Sequence, residues 1–128
     1  MTNTFKFDEL KEAAARLNEG LDTAKSQLEI DGVLQRFEFT FELTWKAIQE
    51  YAKYQGIIVA SPRESFRIAG DLDLIDNVEL WLEYLEERNK TTHIYDTKMA
   101  KAIFDKLPAF AKLVKSLISK MNSKTTKL

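Results

Sequence analysis

The sequence predicts an all-α chain, an antiparallel up-and-down four-helix bundle with one additional short helix. Three observations predict it. Four Gly and two Pro in 128 residues are too few for the turns of a strand-rich fold. Apolar residues recur at spacings of three and four along every long stretch. The chain is 45% hydrophobic and 30% charged, enough to bury one core, so residues 1–128 are expected to form a single domain.

The first helix is expected from Phe7 onward, where Leu10, Ala14, Leu17, Leu21, Ala24 and Leu28 extend one narrow apolar stripe. Gly32 marks its expected break. A second helix over roughly 33–55 carries Leu34, Phe37, Phe41, Trp45, Ile48 and Ala52, with Phe39, Leu43 and Tyr51 widening its apolar face. FEFTF taken alone alternates like a strand, but helical spacing continues on both sides. Gly56 closes this helix. Ser61, Pro62 and Glu64 then combine a hydroxyl cap, a proline at the first helical position and a glutamate at the third, which starts a short helix ending near Gly70.

Residues 71 to 87 hold seven acids and no base. Asp76 is expected to cap a helix in which Leu80 or Trp81, Tyr84 and Leu85 face inward. The acids fit a solvated outer face or, alternatively, a docking surface for a basic partner. The last helix should start at an Asp96 cap and run through Ala100, Ile103, Leu107, Phe110, Val114, Leu117 and Met121, with a kink at Pro108. After Asp105 come six lysines and no acid, which suits either phosphate contact or a helix C-terminus.

Composition excludes much chemistry. Nineteen Lys/Arg against twenty Asp/Glu leave a net charge of -1, so bulk charge does not announce a nucleic-acid binder. With no Cys and one His, disulfides, thiol nucleophiles and His- or Cys-rich metal sites fall away within one chain, and neither metal nor cofactor is expected. The N-terminus has no apolar leader, and no apolar run approaches ~18 residues, so a cytoplasmic protein without membrane contact is expected. Phosphate-cradling glycine loops and the common hydrolase motifs are absent.

One chemical cluster remains, LEERNKTTHIYD at residues 85–96. Arg88 offers a rigid fork of donors for phosphate, His93 brings an imidazole, the common acid–base side chain, and Asn89 and Tyr95 supply oriented hydrogen bonds. A lone histidine near a helix end also serves as a cap or a structural residue.

Arg88-Asn89-Lys90-Thr91-Thr92-His93 resembles the R-N-x3-H signature of HEPN domains, and Tyr95 extends it to R-x4-H-x-Y. DGVLQRFEFTFELTWKAIQEY, SPRESFR and LWLEYLEERNKTTHIYD resemble, in order, the nucleotidyltransferase substrate-binding protein family over nearly the whole chain. Thr92 and Ile94 stand where Ser and Thr are expected, and Ile94 removes a hydroxyl beside the signature.

The resemblance implies a helical bundle, a homodimer and a partner, a small separately encoded MNT-type nucleotidyltransferase. It also implies likeness to the C-terminal helical domain of kanamycin nucleotidyltransferase. Two functions follow. The first is a binding subunit presenting substrate, RNA or a nucleotide-like small molecule, through Arg88, Asn89, His93 and Tyr95. The second is a metal-independent ribonuclease toxin of a HEPN–MNT pair, with Arg88 and His93 catalytic, Asn89 supporting, and the nucleotidyltransferase as antitoxin. A structural dimer without ligand is the plainest alternative. The resemblance further implies that the partner transfers AMP to Tyr95. No nucleotidyltransferase motif occurs in the chain, so it is not expected to transfer nucleotides alone.

Ribonuclease chemistry constrains the assembly. Cleavage through the ribose hydroxyl needs a base, an acid and positive charge at the phosphate. One histidine supplies half of the acid–base set, so a two-fold dimer bringing both copies of Arg88 and His93 together is required.

Overall fold

A computed structural model describes residues 7–125; residues 1–6 and 126–128, with Lys127 of the basic end, lie outside the described part, as does the side chain of Phe7. Among the described residues there are five α-helices and one 3-10 turn, and no strand: α1 (Phe7–Thr23), α2 (Gln27–Tyr54), α3 (Pro62–Asp71), α4 (Val78–Lys90), a 3-10 turn over Thr91–His93, and α5 (Thr97–Thr125). Four longer helices and the short α3 make the all-α bundle that the periodicity predicts. FEFTF is helical, inside α2.

The break between α1 and α2 falls at residues 24–26, not at Gly32, which lies inside α2. A local polar signal decides it. The Ser26 hydroxyl accepts from Glu29 N–H at 3.1 Å, and Glu29 Oε1 accepts from the Ser26 and Lys25 N–H groups at 2.9 and 2.8 Å. This capping box starts α2 well before Gly32 and carries Leu28 off the α1 stripe, leaving it 81% exposed. Backbone N–H donation from Lys25 and then Ser26, with the Ser26 hydroxyl, holds the Glu29 carboxyl below its ordinary value. A lowered folded pKa contributes stability above the unfolded value and loses it as pH falls through the folded one. Ser26→Ala is expected to lower stability by about 1 kcal/mol, read as a reduced urea midpoint; an unchanged midpoint would show that packing alone sets the α1–α2 break.

At the other end of α2 the chain reverses at Gly56, whose φ of 81° is a left-handed conformation that suits glycine. Gly56 N–H donates to the Lys53 carbonyl at 3.0 Å and Ile57 N–H to the Ala52 carbonyl at 2.9 Å, closing the helix end. Ser61 caps α3 as expected, by accepting from Glu64 N–H at 3.2 Å. The cap of α4 is Asn77 rather than Asp76: its Oδ1 accepts from Leu80 N–H at 3.0 Å. Both residues favour that position, and the packing of Leu74 and Ile75 into the core sets the register one residue later.

Six of the seven acids in 71–87 are exposed, but Glu87 is 6% exposed and lies inside the fold. Lys90 and Lys106 Nζ reach its Oε2 at 3.2 and 2.9 Å, satisfying a charge that would be costly unpaired. Tyr84, one turn earlier, donates to the Lys106 carbonyl at 2.8 Å. Burial, then Glu87 and Glu83, push its phenol above the ordinary value.

The core joins α2, α3, α4 and α5 through aromatic rings. Phe110 of α5 meets Phe37 at 4.8 Å, Tyr84 at 5.1 Å, Trp81 at 5.8 Å and Phe41 at 6.3 Å between centroids. Phe66 of α3 stacks on Trp81 at 5.1 Å, so Trp81 rather than Leu80 is the fully inward residue of its turn. The predicted α5 stripe from Ala100 to Met121 is buried throughout. The helix continues through Pro108, whose exposed ring removes one backbone donor to the Phe104 carbonyl without ending the helix.

Candidate functional site

The 85–96 cluster occupies the junction where α4 ends and α5 begins. Lys90 is the last residue of α4, Thr91–His93 form the 3-10 turn, and Asp96 Oδ1 accepts from Met99 N–H at 3.2 Å as the predicted α5 cap. This tight double turn places both of its rings outward. His93 and Tyr95 are both exposed, Tyr95 at 81%. Their rings meet edge to face at 5.8 Å, and His93 Nδ1 lies 3.2 Å from the Tyr95 hydroxyl. When that hydroxyl donates, the imidazole proton resides on Nε2, which is then the nitrogen offered to a ligand.

Arg88 points elsewhere. In the last turn of α4, its Nη2 donates to Glu42 Oε1 of α2 at 3.0 Å, with the two side chains 34% and 31% exposed. Among the described residues no hydrogen bond joins Arg88 to His93. Asn89 is exposed, and its carbonyl accepts from the Thr92 hydroxyl at 3.4 Å. The structure therefore brings Tyr95 to His93 and keeps Arg88 on the α2 side of the same junction. Among the described residues no cluster of three or more acids and histidines is placed to hold a metal ion, and no helix is long and apolar enough to cross a membrane.

Sequence reasoning missed the acids beneath the cluster. Glu38 and Glu42 lie one turn apart on α2 and face the 88–91 segment: Thr91 Oγ1 lies 2.9 Å from Glu38 Oε2 and 2.7 Å from the Arg88 carbonyl. Glu42 is also held by Trp45, whose Nε1–H donates to Oε2 at 2.8 Å and lies 3.1 Å from Oε1. The available signal was the spacing of four between the two glutamates, at the edge of an otherwise apolar face. Glu42 also borders a groove of about 420 Å³ between α1 and α2, where Arg16 lies 5.5 Å over the Phe39 ring.

Residues 5–123 match the family model described as nucleotidyltransferase substrate binding protein like. The probable ribonuclease HepT of Haemophilus influenzae is 29% identical over 86 residues, which are 63% of this chain and 59% of that protein, so the match spans under two thirds of the relative. A crystal structure from Thermus thermophilus aligns with a TM-score of 0.82 at 35% identity, covering 87% of this chain and 97% of that one. A Haemophilus influenzae structure, described as the fold of a substrate binding domain of a nucleotidyltransferase, aligns with a TM-score of 0.82 at 23% identity. It covers 91% of this chain and 99% of its own, a likeness of fold. With the family model spanning all but the two ends of the chain, this protein belongs to the nucleotidyltransferase substrate binding protein-like family.

Proposed function

We propose that this chain is the binding partner of a separately encoded MNT-type nucleotidyltransferase and presents to it the Arg88–Tyr95 surface, as a homodimer. The observation that carries this reading is the Tyr95 hydroxyl, on an exposed ring at a turn, 3.2 Å from His93 Nδ1 and outside the packed core. A tyrosine used only for packing would bury its ring. An accessible phenol beside an imidazole that can accept its proton is instead a suitable nucleophile for nucleotide transfer. The Tyr95 oxygen would attack the α-phosphorus of ATP, pyrophosphate would leave, and Tyr95 would carry AMP.

A second reading is a ribonuclease of a HEPN–MNT pair. The exposed His93 favours it, because its ring is engaged through Nδ1 and leaves Nε2 for a ligand. The likeness to a probable ribonuclease supports it. Both readings meet at Tyr95. An AMP on its oxygen removes the hydroxyl that sets the His93 tautomer and brings a negative phosphate to the RNA face, where charge and bulk would exclude a substrate phosphate.

Co-expression with the neighbouring nucleotidyltransferase followed by intact-mass analysis with ATP and magnesium tests the pairing. The expected result is a complex on a sizing column at low salt and a gain of one AMP that Tyr95→Phe abolishes. Separate elution and an unchanged mass with an active partner would reject the reading.

A further inference from the structure

Arg88 is the guanidinium of the signature, yet it is held by an acid from another helix. An arginine that meets a phosphate must offer its planar fork in one orientation, and a free side chain of this length loses much rotamer entropy when it is fixed. Here α2 supplies the fixing. Trp45 Nε1–H anchors Glu42 Oε2 at 2.8 Å from the same helix, and Glu42 Oε1 takes Arg88 Nη2 at 3.0 Å across to α4. The three groups form a chain of charge-assisted hydrogen bonds in a half-buried seam. The contact engages one nitrogen of a guanidinium that carries five N–H donors, so others remain for an anion.

A surface ion pair at this exposure contributes only about 0–1 kcal/mol to stability. An indole donor that reaches both oxygens of the carboxylate, Oε2 at 2.8 Å and the arginine-bound Oε1 at 3.1 Å, is more order than such a pair needs. The neighbouring Glu38–Thr91 contact, 2.9 Å, already ties α2 to the end of α4. Stapling the helices is therefore not the distinctive task of Glu42.

We propose that Glu42 is a positioning residue: braced by Trp45, it fixes the Arg88 guanidinium so that its unused donors receive a phosphate group of the ligand. The inference deepens the reading of Arg88 as the anion-binding group of this family member. It adds to the site two residues of α2, outside the signature. Because Glu42 also weakens the net positive charge at Arg88, it trades anion affinity for orientation. Glu42→Gln should then loosen the guanidinium without weakening anion binding, a combination that a general loss of fold does not produce.

NMR of the nitrogen-labelled protein, with inorganic phosphate as the probe, reads this directly. Arg88→Lys and Trp45→Phe assign the guanidinium and indole signals. In the wild type we expect resolved, slowly rotating Arg88 Nη–H signals, with phosphate shifting both these and the Trp45 indole. In Glu42→Gln the Arg88 signals should collapse to an average and the indole should stop responding to phosphate, with the backbone spectrum otherwise retained. Trp45→Phe should give a partial collapse. Resolved Arg88 signals in Glu42→Gln, or wild-type Arg88 signals that phosphate does not move, would overturn the proposal.

With a labelled single-stranded RNA oligonucleotide, Glu42→Gln should turn over at least about 10-fold more slowly at an unchanged or lower KM, the mark of misplacement rather than lost binding. A wild type that cleaves no RNA would end the ribonuclease reading alone, since the NMR result decides Glu42 independently.

Discussion

On the ribonuclease reading, replacing His93 by alanine is expected to slow cleavage of single-stranded RNA by about 10²–10⁴-fold, the typical contribution of one positioned acid–base group. His93 is the single histidine of the chain, so no second imidazole can substitute for it. Its place on the exposed turn, away from the aromatic core, means that the variant should keep its fold. The measurement is single-turnover cleavage in the presence of a metal chelator, comparing wild type and His93→Ala at matched protein concentration. Equal rates, or wild-type activity that needs added divalent metal, would sink the mechanism. If two protomers supply one imidazole each, as that reading requires, the wild-type rate should also fall on dilution through the dimer dissociation range. On the same reading a mixed dimer of wild type and His93→Ala should lose most activity, since base and acid would come from different subunits.

The largest effect on stability is expected at Phe110. Its ring is fully buried and touches Phe37, Phe41, Trp81 and Tyr84, so it joins α5 to both α2 and α4. Phe110→Ala should cost about 3–5 kcal/mol, from lost transfer energy and the cavity left behind. Single domains have about 5–15 kcal/mol in total, so the variant should sit near the edge of folding. Urea denaturation followed by the fluorescence of Trp81 and Trp45 measures it. A loss below about 1 kcal/mol would mean that the neighbouring rings close the cavity and that Phe110 is not the junction of the bundle.

The helical class was legible because burial on one face of a helix leaves a period in the sequence. Every predicted position of the α5 stripe is buried, as are Leu34, Phe37, Phe41, Ile48 and Ala52 of α2. The boundaries were less legible. Gly32 suggested a break, but glycine costs a helix interior only about 1 kcal/mol, while the Ser26–Glu29 box satisfies several end donors together. The Leu28 spacing fitted α1 by accident of period, since a leucine one turn past the true end continues the same arithmetic.

The site divides in the same way. Arg88, Asn89, His93 and Tyr95 were visible as a local motif because all four belong to one stretch of chain at one helix junction. That His93 and Tyr95 touch follows from a separation of two residues across one turn, which the local sequence also determines. Glu38 and Glu42 were not visible as site residues, because their partners lie 46 to 53 residues away and only the packing of α2 against α4 brings them together. Nor could the pattern distinguish Glu87 from its six exposed acidic neighbours, since burial of that charge depends on Lys106 arriving from α5. Apolar periodicity is a property of a segment, so the sequence alone determines the helices and the local motif, whereas core packing chose Asn77 over Asp76 as the cap of α4. An ion pair across helices has no period and becomes favourable only once the core has brought two backbones close enough to exchange water for a partner. That step, which sets Arg88 against Glu42, belongs to the tertiary structure.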